Sequence, residues 1–111
     1  MQSVLDSVAI NNGDLDQLVG LFRLLSDKTR MSILVLLADG EKNVTSLCQA
    51  LGLPQPTVSH HLGLLRMHNI IACRRNGKQV IYALDGKVRL GEDRAMQIGV
   101  ENVSLRIGLG N

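Results

Sequence analysis

Leu-Pro-Gln-Pro-Thr-Val-Ser-His-His-Leu-Gly-Leu-Leu-Arg-Met-His-Asn, running from Leu53 to Asn69, constrains the fold of this chain more than any other stretch. Pro54 and Pro56 mark a helix start, because proline's fixed φ suits a first turn whose N–H groups have no partner within the helix. Val58, Leu62 and Leu65, with Leu64 beside them, recur at helical spacing and give the rod one face to bury. The opposite face carries Gln55, Thr57, Ser59, His60, His61 and Arg66, and none of them is acidic. A helix that is apolar behind and hydrogen-bonding in front is what insertion into a major groove requires.

Charge is segregated around this helix. No acidic residue lies between Glu41 and Asp85, an interval that holds Lys42, Arg66, Arg74, Arg75 and Lys78. Those are five of the chain's 12 cations, so the remainder sets seven cations against all 10 acids. A cationic, acid-free surface on an otherwise acidic body suits a polyanionic partner.

The rest of the chain arranges itself about that segment. At 111 residues it is long enough for one domain with a modest core. The apolar fraction of 45% excludes disorder, and with two aromatics the interior is filled by aliphatics. The densest apolar run, Ile33 to Ala38, is far short of the ~20 residues of a membrane span. The N-terminus lacks the basic start of a signal peptide, and two cysteines make no disulfide scaffold. A cytoplasmic protein with reduced thiols and no membrane contact is expected.

Three parts follow in order. Residues 1–13 form an N-terminal arm or short helix, with Ser3 as cap and Val4, Leu5, Val8 and Ala9 as its stripe, closed by the break Asn11-Asn12-Gly13. Residues 14–84 begin with a helix capped by Asp14 and running to about Leu25. Ser26 and Asp27 open a second helix, Lys28 to about Asp39, apolar nearly all round and so the central one. Glu41-Lys42-Asn43 reads as a loop. Val44, Leu47, Cys48 and Leu51 stripe a short helix ended by Gly52, and the helix of residues 55–68 follows. Two helices joined through a glycine turn, the second with the polar face, form a helix-turn-helix. Asn69 is a left-handed terminator. Ile70 to Arg74 and Gln79 to Leu84 then read as strands around Arg75-Asn76-Gly77-Lys78, with Asn-Gly as the hairpin signal. The architecture is mainly α with a small β wing over 70–84, a winged helix-turn-helix.

From Leu21 to Leu84 the chain resembles the ArsR/SmtB family of bacterial winged-helix repressors. The resemblance is carried by Leu25-Ser26-Asp27-Lys28-Thr29-Arg30, Leu51-Gly52-Leu53, Gln55-Pro56-Thr57-Val58-Ser59-His60-His61-Leu62 and Arg74-Arg75-Asn76-Gly77-Lys78. It implies a homodimer that represses transcription from double-stranded operator DNA and releases it when an inducer binds. It assigns base reading to Gln55, Thr57, Ser59, His60 and His61, and backbone contact to Arg74, Arg75 and Lys78. Arg66, on the same polar face, joins the DNA-binding set. Arg30 is read as the partner of an acid such as Asp27.

The chain departs from the family's sensing sites. Where the family's Cys-X-Cys pair is followed by an acid, this chain has Cys48, then Ala50 and Leu51, and a lone thiolate is a poor trap for a soft metal. Cys48 lies on the buried stripe, Cys73 shares a face with Ile71, and both read as core residues. No histidine follows His68, which removes the family's terminal metal site; His68 itself reads as a helix-end residue. No metal or other cofactor is therefore expected. A metal- or thiol-responsive sensor using Cys48 and Cys73, and a winged helix that binds protein instead of DNA, stand as the alternative readings. No Ser/His/Asp set or phosphate loop points to an enzyme.

Residues 85–111 are expected to be a dimerisation tail. Met96, Ile98 and Val100 alternate, as do Val103, Leu105 and Ile107. A two-residue turn at Glu101-Asn102 would set Val100 opposite Val103, Ile98 opposite Leu105 and Met96 opposite Ile107, with Gln97, Ser104 and Arg106 on the other face. The family's terminal helix would instead stripe only Met96, Val100, Val103 and Ile107 and bury Gly99 in its interior. The hairpin is favoured, and its apolar face asks for a cover, for which a second subunit is the natural choice.

Overall fold

The computed structural model describes residues 10–110. The expected N-terminal helix, with Ser3, Val4, Leu5, Val8 and Ala9, lies outside the described residues. The elements are α1 (Asn12–Leu25), α2 (Lys28–Ala38), β1 (Lys42–Asn43), α3 (Val44–Leu51), α4 (Gln55–Met67), β2 (Ile71–Asn76), β3 (Gln79–Leu84), β4 (Val88–Leu90), β5 (Ala95–Val100) and β6 (Val103–Gly108). The fold is a winged helix-turn-helix with a terminal antiparallel sheet in place of a terminal helix.

Local chemistry sets each boundary. The cap of α1 lies three residues before Asp14: it is Asn11, its Oδ1 accepting from the Asp14 N–H at 2.8 Å, and Asp14 answers as the fourth member of a capping box. The sequence Asn-Asn-Gly thus opens the helix instead of breaking the chain before it. Asp27 caps α2, accepting from the Arg30 N–H at 3.0 Å. Gly52 ends α3 in the left-handed region at φ 66, and Asn69 takes the same conformation at φ 60 after α4.

One apolar cluster joins all the layers. Ile33 and Leu34 of α2, Leu47 of α3, and Val58 and Leu65 of α4 are fully enclosed, and Leu21, Leu24 and Leu25 of α1 are buried against them. Leucine and isoleucine do this work because the chain has almost no aromatic volume to use. α2 is the central helix the sequence implies, with Val35 its one exposed large apolar residue, at 47% exposure.

Two three-stranded sheets flank the helices, in the orders β1-β3-β2 and β4-β5-β6. In the wing, pairing runs from Ile71 opposite Leu84 to Asn76 opposite Gln79. Gly77 and Lys78 are therefore the two loop residues, one position later than the Asn-Gly centre expected. Gly77 at φ 64 in the first loop position is type II′ geometry, which asks for a positive φ only at glycine. Lys42 and Asn43, expected to be loop, add a short third strand against Tyr82 and Ile81.

The tail is the hairpin, in the expected register: Val100 pairs with Val103, Ile98 with Leu105 and Met96 with Ile107. Val88–Leu90 adds a third strand that its three residues are too short to announce. The apolar face is covered from within the chain, since Met96 and Ile98 are fully buried and belong to the same cluster as α1 and α4. Glu101 holds the turn at φ 47, a conformation that disfavours any residue with a Cβ. Glu101→Gly is expected to raise the unfolding free energy by about 0.5–1 kcal/mol, seen as a higher melting temperature.

Candidate nucleic-acid interface

The outward face of α4 is built by what holds its inward face. Val58, Leu62 and Leu65 are at most 1% exposed, which fixes the rotation of the helix and turns Gln55, Thr57, Ser59 and His60 to solvent. Pro54 is the N-cap, no side chain caps the first turn, and the turn contains no acid. Its end therefore carries positive potential with no acid in its own first turn to neutralise it, the arrangement that favours a phosphate. Arg66 is exposed in the last turn. No residue of α4 is acidic.

His61 is placed differently from His60. Its side chain is only 15% exposed, and its Nδ1 lies 3.2 Å from Nη1 of Arg30 and 3.8 Å from Oδ2 of Asp27. A guanidinium only donates, so the His61 ring accepts at Nδ1 and carries its proton on Nε2. Arg30 also donates from Nε to the Leu24 carbonyl at the end of α1. The Arg30 backbone N–H bonded to the Asp27 carboxylate, aided by the Arg30 charge, holds that carboxyl below its usual value. One guanidinium thereby ties the end of α1, the start of α2 and the middle of α4. The sequence pairs the Arg30 side chain with an acid such as Asp27; in the structure only the Arg30 backbone N–H bonds Asp27, while the guanidinium reaches Leu24 and His61, and no local signal marks a partner 31 positions away.

The wing presents its cations at two levels. Arg75 and Lys78 are exposed at its tip. Arg74, expected to join them, donates from Nη2 to Oε1 of Glu41 at 2.9 Å. Glu41 is the acid that bounds the acid-free interval, and it folds back onto that interval's edge. This exposed pair is weak, of order 0–1 kcal/mol, so it does not bar Arg74 from a phosphate. Tyr82, opposite Cys73 in the wing, has its phenol pushed above the usual value by burial and stays a neutral hydroxyl at ordinary pH.

Cys48 packs against the central cluster as expected, and both cysteines are free thiols. His68 is the C-cap of α4, with Nδ1 3.0 Å from the Leu64 carbonyl. Among the described residues, no three His, Cys, Asp or Glu side chains gather as a metal site, and no helix is long and apolar enough to cross a membrane.

Comparison with known proteins agrees with this geometry. The model of the bacterial regulatory protein arsR family matches residues 27–72, which run from the Asp27 cap through α4 into β2. The transcriptional regulator KmtR of Mycobacterium tuberculosis is 42% identical over 69 residues, 62% of this chain and 53% of its own length. The biofilm growth-associated repressor of Xylella fastidiosa is 37% identical over 83 residues, 75% of this chain and 68% of its own. The chain thus spans about half the length of the first relative and two thirds of the second. Among solved structures, a homodimeric winged helix-turn-helix DNA-binding domain from Mycobacterium bovis superposes with a TM-score of 0.60 at 33% identity, covering 65% of this chain and 67% of that one.

Proposed function

The chain belongs to the ArsR family of bacterial regulatory proteins, and on that premise we propose that it binds double-stranded DNA as a homodimeric transcriptional repressor. The observation that carries this reading is the solvent face of α4, where Gln55, Thr57, Ser59 and His60 stand exposed on a rod without an acid. Amides, hydroxyls and imidazoles are the groups that read base edges in a major groove, and an acid there would be repelled by phosphate. Arg75 and Lys78 would lie along the backbone beside the groove, with Arg66 and Arg74 in reserve at the flanks.

A second copy is supported by the homodimeric relative. In this chain the tail of residues 85–111 and the neighbouring α1, whose Val19 and Phe22 are 45% and 50% exposed, are the surfaces proposed to meet it. Two α4 helices would then enter successive major grooves of a near-palindromic site, with centres about 34 Å apart. The protein acts by binding and not by catalysis, and its proposed place of action is the cytoplasm, where the DNA is.

Titrating a randomised-pool winner duplex at two salt concentrations tests the reading. Affinity is expected to fall steeply as salt rises, because bound phosphates release counterions. Arg75→Ala should weaken binding to all sequences alike and reduce the slope of log affinity against log salt by about one. Failure to shift any duplex at low ionic strength would overturn the proposal; a loss confined to the selected site would overturn the role of the wing.

A further inference from the structure

Val58, Leu62 and Leu65 bury one side of α4, and along the opposite side run Pro56, His60, Gly63 and Met67, at i, i+4, i+7 and i+11. All four are exposed. The second half of this line is unlike the first. Gly63 stands in the helix interior, where alanine is the better residue. Its φ is not positive, and a Cβ built on it meets nothing within 4 Å. Neither backbone conformation nor packing within the chain requires glycine there. One turn on, Met67 is 73% exposed, more than any other large apolar side chain among the described residues. Helical side chains lean toward the N-terminus, so Met67 stands at the rim of the gap that Gly63 leaves. The outward face of α4 thus ends in an uncharged notch with an apolar wall. The glycine weakens the helix and the exposed methionine gains nothing, so neither serves the chain by itself.

We propose that the notch at Gly63, with Met67 as its wall, receives the C5 methyl of a thymine at one fixed position of each half-site. The inference rests on the DNA reading above and adds to it a base identity and two residues. That methyl is the one alkyl group that base edges present in the major groove; the other groups there accept or donate hydrogen bonds. Ser59 and His60 can answer those groups, whereas a bare gap beside a thioether can answer only the methyl. Glycine lets the methyl approach the helix backbone, which a Cβ would hold off. The flexible, polarizable methionine can close over it. At 1.5 Å per residue, Gly63 and Met67 are about 6 Å apart along the axis, close enough to bear on one base pair and its neighbour. Arg66, beside them, is left for a phosphate.

The test uses the full chain and a duplex selected from a random pool. Deoxyuridine in place of thymine removes the methyl and keeps every hydrogen-bonding group of the base. Each thymine position is exchanged in turn. At one of them the titration midpoint should rise about fourfold per half-site, the worth of one buried methyl. Gly63→Ala should raise the melting temperature by about 4 °C, because alanine is the better helix residue, and yet abolish the preference for thymine over uracil. Those opposite signs separate a contact with DNA from a defect of folding. Met67→Ala should leave melting unchanged and cut the preference to below about twofold. A midpoint indifferent to deoxyuridine at every position overturns the proposal. A preference kept in full by Gly63→Ala overturns the notch, and one kept in full by Met67→Ala overturns its wall. Should the chain bind no duplex at all, the DNA reading fails and this inference with it; binding that ignores the methyl sinks this inference alone.

Discussion

Leu62→Ala is expected to lower the unfolding free energy by about 3–4 kcal/mol and the melting temperature by on the order of 15 °C. Leu62 is 1% exposed on the inner face of α4, between Val58 and Leu65, which are fully buried. Truncation removes the transfer free energy of its methyl groups and leaves a cavity, and the surroundings decide how much of that cavity can close. Here they are aliphatic residues of four helices and two sheets meeting in one cluster, so collapse in one direction opens a gap in another. A loss of this size is a large fraction of the stability of a domain this small. The control is Met67→Ala on the same helix: Met67 is 73% exposed, and its truncation should stay within about 0.5 kcal/mol. Urea unfolding of both variants decides the matter. A loss below about 1 kcal/mol for Leu62→Ala would mean that α4 is not seated on the core as described. DNA affinity should fall in Leu62→Ala for all sequences together, because the seat of the helix is disturbed and not its reading face.

What was legible in the sequence had a local cause. The helix order from α1 to α4, the Gly52 turn, the Asn69 terminator and the solvent face of α4 all follow from period, caps and positive-φ residues within a few positions of one another. The tail hairpin was legible for the same reason: two alternating runs either side of a two-residue turn admit one register that keeps every apolar residue on one side, and Ile98 opposite Leu105 is that register. The elements that escaped are short or lie between strong signals. β1 and β4 have two and three residues, and each exists only because a longer strand is there to pair with it. The wing turn fell one residue late, since a centre at Gly77 and Lys78 lets Leu84 pair with Ile71 at the base of the wing. Within the candidate interface, the polar residues were found by type, but their individual duties were not. Nothing near His61 or Arg74 in the sequence points to Arg30 or Glu41, each more than thirty positions away.

The adjacent histidines His60 and His61 should part company under substitution. His60 is exposed on the reading face, packs edge-on against the His61 ring with centroids 5.3 Å apart, and has no other partner among the described residues. His60→Ala should leave stability within about 0.5 kcal/mol of the parent and remove roughly 1–3 kcal/mol of discrimination at the base it faces. In a selection from a random duplex pool, one position of each half-site would flatten and the others would keep their preference. His61→Ala should do the reverse. It strips a part-buried acceptor from Arg30, whose guanidinium also holds the end of α1, and the unfolding free energy should drop by about 1–2 kcal/mol. The base preference would keep its shape while affinity falls for every duplex, since the tie between α2 and α4 is loosened and the reading face is intact. His61→Gln, which can still accept from Arg30, should recover part of the stability. If His61→Ala flattened the preference at a single position and left stability unchanged, His61 would be a base reader and its contact with Arg30 incidental. If His60→Ala left the selected profile as it was, the exposed face of α4 would not be the surface that reads DNA.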